Sequence, residues 1–139
     1  MDKSSVTCTW LSNMAFETEV NGHKIILDAT PEVGGENRGP RPKPLVLSAL
    51  AGCSGMDVVS ILKKMKAEFS YFSMEVEAES TEEHPKYYKK INLIYLFKKA
   101  DNLDDDKVKK AVELSQEKYC GVAALLKKAT DLTYEIRYI

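Results

Sequence analysis

Residues 39–66 read GPRPKPLVLSALAGCSGMDVVSILKKMK, and this stretch predicts one long helix. Pro44 suits the first helical turn, where a missing N–H costs no hydrogen bond. Lys63, Lys64 and Lys66 suit the last turn, because cations stabilise the negative end of the helix dipole. The residues in between are apolar on nearly every face, and a helix of that kind is normally buried. The stretch therefore predicts a long buried central helix that organises the rest of the chain.

Cys53 lies in the middle of this predicted helix. Its neighbours are small: Ala49, Ala51, Gly52, Ser54 and Gly55. Small side chains allow another backbone, or a substrate, to come close to the sulfur. Asp57, four residues further on, shares the helix face that carries Cys53. A free cysteine is often no more than a small buried hydrophobic residue, so the helix alone leaves both a structural and a chemical role open.

The composition of the chain predicts one globular domain over residues 1–139, since 44% of the residues are hydrophobic and 29% are charged. A net charge of −1 gives no reason to expect nucleic acid or an anionic membrane as a partner. The first residues, MDKSSVTCTW, lack the basic start and apolar run of a signal peptide, so we expect a cytoplasmic protein. Asp57, three serines and two glycines make the central helix a poor membrane span.

The chain has three cysteines, Cys8, Cys53 and Cys120. In a reducing cytoplasm a structural disulfide is rare, so any pairing among them is expected to be catalytic or redox-sensing. Three cysteines and two scattered histidines do not make a four-ligand zinc site, and we expect neither a metal nor a cofactor.

Three strands are predicted before the central helix, over residues 5–10, 15–20 and 23–27. The second and third are joined by Asn21-Gly22, a strong signal for a β-hairpin. Alternation along the first strand predicts that Cys8 faces the core.

The loop from Asp28 to Lys43 follows these strands and leads directly into the central helix. Loops of this length within a compact domain are usually functional or mobile. Arg38 and Arg41 in this loop are either solvated charges or cations delivered to an anion or to the thiolate of Cys53.

Two more strands are predicted after the central helix, over residues 71–80 and 88–97. Asp104 is a candidate N-cap for a helix that runs to about Tyr119. A short helix over residues 122–129 and a last strand over 132–139 complete the order βββ–α–ββ–α–α–β, an α+β pattern. The buried stripe expected on the first of these two helices is Val108, Ala111, Val112 and Ser115. One small sheet would not cover the apolar central helix, so a second copy of the chain is the simplest cover and predicts a homodimer.

Cys53 and Cys120 are 67 positions apart, so their spacing carries no motif of its own. The pair has chemical meaning only if the fold brings the two sulfurs together. Cys120 lies at a predicted helix junction, where a helix N-terminus would stabilise its thiolate.

The sequence resembles the OsmC/Ohr family over almost its whole length, and most closely the YhfA-like branch of that family. Two segments carry the resemblance: the proline-led helix PKPLVLSALAGCSGMDVVSIL with its central cysteine, and the later segment LSQEKYCGVAALLKKA with the second cysteine. The resemblance implies an OsmC-like fold in which antiparallel strands wrap long central helices of an intertwined homodimer. It places the active sites at the dimer interface.

The resemblance also implies a chemistry, that of a thiol-dependent peroxidase acting on organic hydroperoxides in oxidative stress defence. By position, Cys53 corresponds to the peroxidatic cysteine and Cys120 to the resolving cysteine. The first thiolate would become a sulfenic acid, and the second thiol would condense with it to a disulfide. A dithiol reductant, in one branch a lipoylated protein, would then restore both thiols.

The sequence departs from the peroxidase branches ten residues before Cys53. Those branches carry a Pro-Glu pair whose glutamate orients an arginine that lowers the pKa of the cysteine, whereas this chain has Pro42-Lys43. Lys43 is therefore a candidate replacement for that cation, beside Arg38 and Arg41, which match the arginine position only loosely. Asp57, if ionised, would oppose thiolate formation at Cys53 by like-charge repulsion.

Two functions remain open on the sequence. The first is a hydroperoxide reductase that uses Cys53 and Cys120. The second is a non-catalytic or weakly catalytic dimeric module that binds a small apolar or thiol-bearing ligand. Activation of the Cys53 thiolate is what distinguishes them.

Overall fold

The computed structural model describes residues 2–139 and has an α+β fold with two small sheets and one long helix. The helices are α1 (Leu45–Lys64), α2 (Asp105–Leu114) and α3 (Gly121–Leu126). The strands are β1 (Thr7–Ser12), β2 (Ala15–Val20), β3 (His23–Leu27), β4 (Phe72–Ser80), β5 (Tyr88–Phe97) and β6 (Asp131–Tyr138). This order confirms the predicted βββ–α–ββ–α–α–β pattern.

The chain forms two compact units, of which one ends at Val46 and the other begins at Leu47. That residues 1–139 fold as a single domain stays a prediction. In the first unit, β1, β2 and β3 form an antiparallel sheet. Asn21 and Gly22 connect β2 to β3 with φ angles of 51° and 80°. Positive φ at both central residues is what a tight hairpin turn of type I′ requires, so the predicted hairpin is confirmed.

Cys8 is exposed, so the prediction that it faces the core is wrong for this chain. Every residue of β1 is exposed, and Trp10 is 61% exposed. Alternation indicates which side chains share a face of the strand. That face is buried only where a second layer packs on it, and the residues described around β1 supply no such layer.

The loop after β3 is ordered around the carboxylate of Asp28, which is 3% exposed. This carboxylate accepts backbone hydrogen bonds from Ala29 at 2.7 Å, Arg38 at 3.1 Å and Glu36 at 3.2 Å. The amide of Arg38 is the largest cause that lowers the pKa of Asp28, because these bonds stabilise the ionised form. The predicted long loop is therefore held by hydrogen bonds to Asp28, and it ends in the turn from which α1 starts.

In the second unit the sheet order is β4-β5-β6, with β5 in the middle. β4 is antiparallel to β5, but β6 is parallel to β5, from Lys90 opposite Asp131 to Phe97 opposite Tyr138. The expectation of antiparallel strands throughout is wrong here, because α2 and α3 carry the chain back across the sheet before β6 begins. The central strand β5 supplies Ile91, Leu93, Tyr95 and Phe97 to the core.

Only one stripe of α1 is buried, so the all-round burial predicted for this helix is not found within one chain. The buried residues recur every fourth position: Leu50, Ser54, Val58 and Leu62. On another face Met56 is 76% exposed and lines an open apolar groove of about 680 Å³ with Val59, Phe72 and Met74. The helix has more apolar surface than the described part of one chain covers.

Among the helices of residues 2–139, α1 alone is long and apolar enough to cross a membrane, a test that the core helix of a water-soluble protein also satisfies. Its buried stripe packs in a core with β5 and α2 and contains Ser54, which is fully buried and hydrogen-bonded. These contacts are those of a core helix.

Candidate two-cysteine site

The fold brings Cys53 and Cys120 together although they are 67 positions apart. Their thiols are close enough for a hydrogen bond between them, and both cysteines are free. Cys53 is half-buried on α1, whereas Cys120 is only 3% exposed. A reagent from solution therefore has better access to the sulfur of Cys53 than to that of Cys120.

Cys120 lies where a π-turn over Ser115–Tyr119 meets the start of α3. The predicted helix up to Tyr119 ends as an α-helix at Leu114, and its predicted N-cap, Asp104, is confirmed by a 3.0 Å bond from the amide of Asp106. In the π-turn the amide of Cys120 donates to the carbonyl of Ser115 at 2.8 Å. Turns of this kind are often found at functional sites.

Burial raises the pKa of Cys120 to about 11. The amide of Ala123, which donates to the sulfur at 3.4 Å, lowers this pKa, and the neighbouring thiol of Cys53 raises it again. The amides at the start of α3 therefore favour the thiolate as expected, but desolvation of the charged form outweighs them. Cys120 keeps its proton at neutral pH.

We predict that alkylation of Cys120 stays slow from pH 7 to 9 and rises only as the pH approaches about 11, because the thiolate is the reactive form. In Cys53→Ser the pH midpoint of Cys120 alkylation should fall, since the neighbouring thiol that helps to raise the pKa is lost. The midpoint should still stay above the usual thiol range, because Cys120 remains buried. Mass spectrometry of iodoacetamide adducts, peptide by peptide, measures this, and the exposed Cys8 serves as the reagent control. A midpoint below pH 9 for Cys120 would contradict the prediction.

The raised pKa of Cys120 also makes the stability of the folded protein depend on pH. Because the folded state favours the neutral thiol, the unfolded chain ionises first on raising the pH, so this contribution to stability is lost as the pH rises toward the folded-state pKa.

Asp57 is held by a hydrogen bond instead of standing free beside Cys53. Its Oδ2 accepts from the hydroxyl of Ser115 at 2.9 Å. The same hydroxyl oxygen lies 2.7 Å from the hydroxyl of Ser54, which is also hydrogen-bonded to the phenol of Tyr95. Gln116 Nε2 donates to that phenol at 2.7 Å. Five side chains thus form a continuous polar network in the core of the second unit.

The hydrogen bonds of this network all donate in one direction. A carboxylate only accepts, so the hydroxyl of Ser115 donates to Asp57, and each hydroxyl has a single hydrogen. The Ser54 hydroxyl then donates to Ser115, and Tyr95 donates to Ser54. Burial raises the pKa of Tyr95, which keeps this phenol protonated and able to donate. The chain of donors therefore runs from Gln116 to Asp57, and each bond strengthens its neighbour.

Sequence reasoning missed Ser54, Tyr95 and Gln116 as parts of the site, and placed Ser115 only on a buried stripe. Ser54 and Ser115 are fully buried. A serine on a predicted buried stripe needs a partner, because an unsatisfied buried hydroxyl is costly. That was the signal in the sequence, but it does not identify the partner.

The candidate cations of the loop have these positions. Arg41 donates to the carbonyls of Asp28 at 3.2 Å and Gly39 at 3.0 Å, and to the side chain of Asn37. Arg38 lies 3.5 Å from the hydroxyl of Ser12. Lys43 is exposed, and its carbonyl accepts from Val46 at 3.1 Å in the turn that begins α1.

Within residues 2–139 no group of three or more histidine, cysteine, aspartate or glutamate side chains is arranged to hold a metal ion. The polar groups beside the sulfur of Cys120 are backbone amides at the start of α3 and the thiol of Cys53.

Comparison with known proteins identifies relatives of this chain. Residues 34–135 match the family described as OsmC-like protein. Over 131 residues the chain is 36% identical to protein YhfA of Escherichia coli, and the match covers 94% of each protein.

Two solved structures extend the comparison. A hypothetical protein from Aquifex aeolicus matches with a TM-score of 0.83 at 30% identity, covering 100% of this chain and 99% of that one. The organic hydroperoxide resistance protein OhrB of Bacillus subtilis matches with a TM-score of 0.66 at 17% identity, covering 98% of each chain. At that identity the likeness to OhrB shows the shared fold alone.

Proposed function

The chain belongs to the OsmC-like family, and from that premise we propose that it is a thiol-dependent peroxidase that reduces organic hydroperoxides. The observation that carries the proposal is the contact between the thiols of Cys53 and Cys120. A second thiol held against the first is what a cycle of sulfenic acid and disulfide needs.

In the proposed cycle Cys53 is the nucleophile, because it is the more accessible sulfur and because Cys120 retains its proton. The Cys53 thiolate attacks the O–O bond and takes the hydroxyl group as a sulfenic acid, and the alkoxide leaves and becomes the alcohol with a proton from water. The sulfur of Cys120 then bonds to that of Cys53, the S–O bond breaks, and the oxygen leaves as water with the proton of Cys120. A dithiol reductant, for which a lipoylated protein is our candidate, reduces the disulfide by exchange.

Consumption of tert-butyl and cumene hydroperoxide by the purified protein, with dihydrolipoamide as the reductant, tests the proposal. We expect turnover with both and faster turnover than with hydrogen peroxide, since an alkyl group can pack against apolar residues near Cys53. No turnover of any peroxide, with dihydrolipoamide or with dithiothreitol, would overturn the proposal.

A second function has one observation in its favour, the open apolar groove on α1. Its lining of Met56, Val59, Phe72 and Met74 fits a small apolar or thiol-bearing ligand. In this alternative the protein is a binding module without efficient peroxide chemistry. Saturable binding of an apolar fluorescent probe, without any peroxide turnover, would favour it.

We also propose that the protein is a cytoplasmic homodimer. The support is the exposed apolar surface of α1, where Met56 is 76% and Val46 is 39% exposed. Surfaces of this kind usually mark an interface. We predict a dimer at micromolar concentration by sedimentation equilibrium, and Met56→Glu should shift the equilibrium toward monomer. A stable monomer in the unmodified protein would contradict the proposed dimer.

We propose Lys43 and Arg38 as candidate cations for the activation of Cys53, because both precede the helix that carries this cysteine. If either residue supplies this cation, Lys43→Ala or Arg38→Ala is expected to slow the alkylation of Cys53 at neutral pH, because a positive charge favours the thiolate. Lys24→Ala, a change of the same kind on the exposed strand β3, is the control. Unchanged alkylation curves in both variants would mean that neither cation activates the sulfur.

A further inference from the structure

We propose that Ser115 is the positioning residue that holds Cys120 against Cys53 for the step in which the disulfide forms. This inference rests on the proposed two-cysteine cycle and deepens it, because it assigns a role to a residue that touches neither the peroxide nor the reacting sulfurs.

Ser115 connects the backbone of Cys120 to the turn of α1 that carries Cys53. Its carbonyl accepts the amide hydrogen of Cys120 at 2.8 Å and so closes the π-turn. Its hydroxyl lies 2.7 Å from that of Ser54, the residue next to Cys53, and donates to Asp57 one helical turn further on at 2.9 Å. One residue thus fixes the start of the resolving segment on the helix of the nucleophile.

The environment makes this connection rigid. Ser54 and Ser115 are fully buried, so water does not compete for their hydrogen bonds. The bond from Ser115 ends on a carboxylate, and hydrogen bonds to an ionised acceptor are the stronger kind. Gln116, the next residue, donates to Tyr95 at 2.7 Å, which anchors the π-turn at a second point, on β5.

Cys120 lies at the end of the π-turn opposite to Ser115. Cys120 is the last residue closed by the turn, and disulfide formation requires its sulfur to move from contact to a bond of about 2.05 Å. The side-chain oxygen Oε1 of Gln116 is buried and is the buried side-chain polar atom that has no partner among residues 2–139. The turn is therefore fixed at Ser115, while the hydrogen bonding of its next residue is incomplete.

The chemical step is the second half of the proposed cycle. The S–S bond forms between Cys120 and Cys53, the S–O bond of the sulfenic acid breaks, and water leaves with the proton of Cys120. Ser115 contributes by limiting the positions of the Cys120 sulfur, since misplacement of about 1 Å can slow a reaction on the order of a hundredfold.

The test compares Ser115→Ala with Ser70→Ala in single-turnover reactions with one equivalent of cumene hydroperoxide. Ser70 is a matched control, because its hydroxyl also donates to a carboxylate, that of Asp101 at 2.8 Å. Dimedone trapping follows sulfenic acid at Cys53, and non-reducing peptide mapping follows the disulfide.

We expect Ser115→Ala to form sulfenic acid at the unmodified rate and to form the disulfide about tenfold or more slowly, so that trapped sulfenic acid accumulates. Asp57→Asn, which keeps an acceptor for the Ser115 hydroxyl but removes its charge, should slow the same step less. Ser70→Ala should match the unmodified protein. Disulfide formation in Ser115→Ala as fast as in the unmodified protein would overturn the proposal.

A second measurement separates this proposal from the peroxidase proposal. Equilibration of the reduced protein with glutathione disulfide gives the effective concentration of Cys120 toward Cys53 without any peroxide. We expect Ser115→Ala to lower it about tenfold or more, by the same positional argument. If the unmodified protein consumes no hydroperoxide, the peroxidase proposal fails and this measurement alone decides the role of Ser115. If Ser115→Ala does not fold, Asp57→Asn decides it by the same two readouts.

Discussion

Replacement of Cys53 by serine is expected to reduce hydroperoxide consumption by roughly a thousandfold or more, because a hydroxyl cannot replace the thiolate that attacks the O–O bond. Cys53 is half-buried and reachable, and its partner Cys120 is 3% exposed and keeps its proton.

The order in which the two cysteines react is tested by treating the variants Cys120→Ser and Cys53→Ser with peroxide. One equivalent of an organic hydroperoxide should leave Cys120→Ser with a stable sulfenic acid at Cys53, since the resolving thiol is missing. Under the same treatment Cys53→Ser should stay reduced at Cys120. Dimedone adducts identified by mass spectrometry distinguish the two results.

Cys8 should remain unmodified in both cysteine variants, and Cys8→Ser, which keeps Cys53 and Cys120, is the control and should react as the unmodified protein does. Trapping at Cys120 in Cys53→Ser, with none at Cys53 in Cys120→Ser, would reverse the assignment. Absence of oxidation in either variant would favour the ligand-binding alternative.

The largest effect on stability is expected for Phe97→Ala. Phe97 is fully buried at the end of β5, with its ring stacked on Phe72 at 4.6 Å and edge-on to Phe69 at 6.0 Å. Removal of the ring loses its burial and leaves a cavity, so the free energy of unfolding should fall by about 3–5 kcal/mol. Folded domains have only about 5–15 kcal/mol in total. Urea unfolding at one fixed protein concentration measures the change.

Two further variants separate the role of the ring from a general loss of side chain. Phe97→Leu keeps an apolar side chain at this position and should lower the free energy of unfolding clearly less than Phe97→Ala does. Tyr87→Ala removes an aromatic ring that is 54% exposed, and its effect should stay within about 0.5 kcal/mol. Equal losses for Phe97→Ala and Tyr87→Ala would show that the aromatic cluster around Phe97 does not stabilise the fold as argued.

The local elements of this protein could be predicted because their signals lie within a few residues. Asn21-Gly22 supplies the positive φ angles of its turn, and Asp104 supplies the acceptor that caps α2. The helix after Asp104 ends at Tyr119 as predicted, but the sequence did not indicate that its last turn, Ser115–Tyr119, is a π-turn.

The candidate site could be predicted only in part. The resemblance to a family singled out Cys53 and Cys120, but spacing alone gave no reason to pair them. Asp57 was expected to repel a thiolate, whereas in the structure it ends a chain of hydrogen bonds from Tyr95, Ser54 and Ser115. Hydrogen-bond partners that lie 41 to 61 positions apart are brought together by packing, so no periodic pattern in the sequence indicates them.

The sequence by itself determined the long apolar helix and the order of the strands and helices, because periodicity, turn residues and caps act over a few neighbouring positions. It determined the family through the resemblance of the two segments around Cys53 and Cys120. Only the tertiary structure decided that the sulfurs of Cys53 and Cys120 meet, that β6 runs parallel to β5, and that α1 keeps an exposed apolar face. Those features depend on which distant surfaces pack together. The same packing desolvates Cys120, and this raises its pKa by more than the amides at the start of α3 lower it.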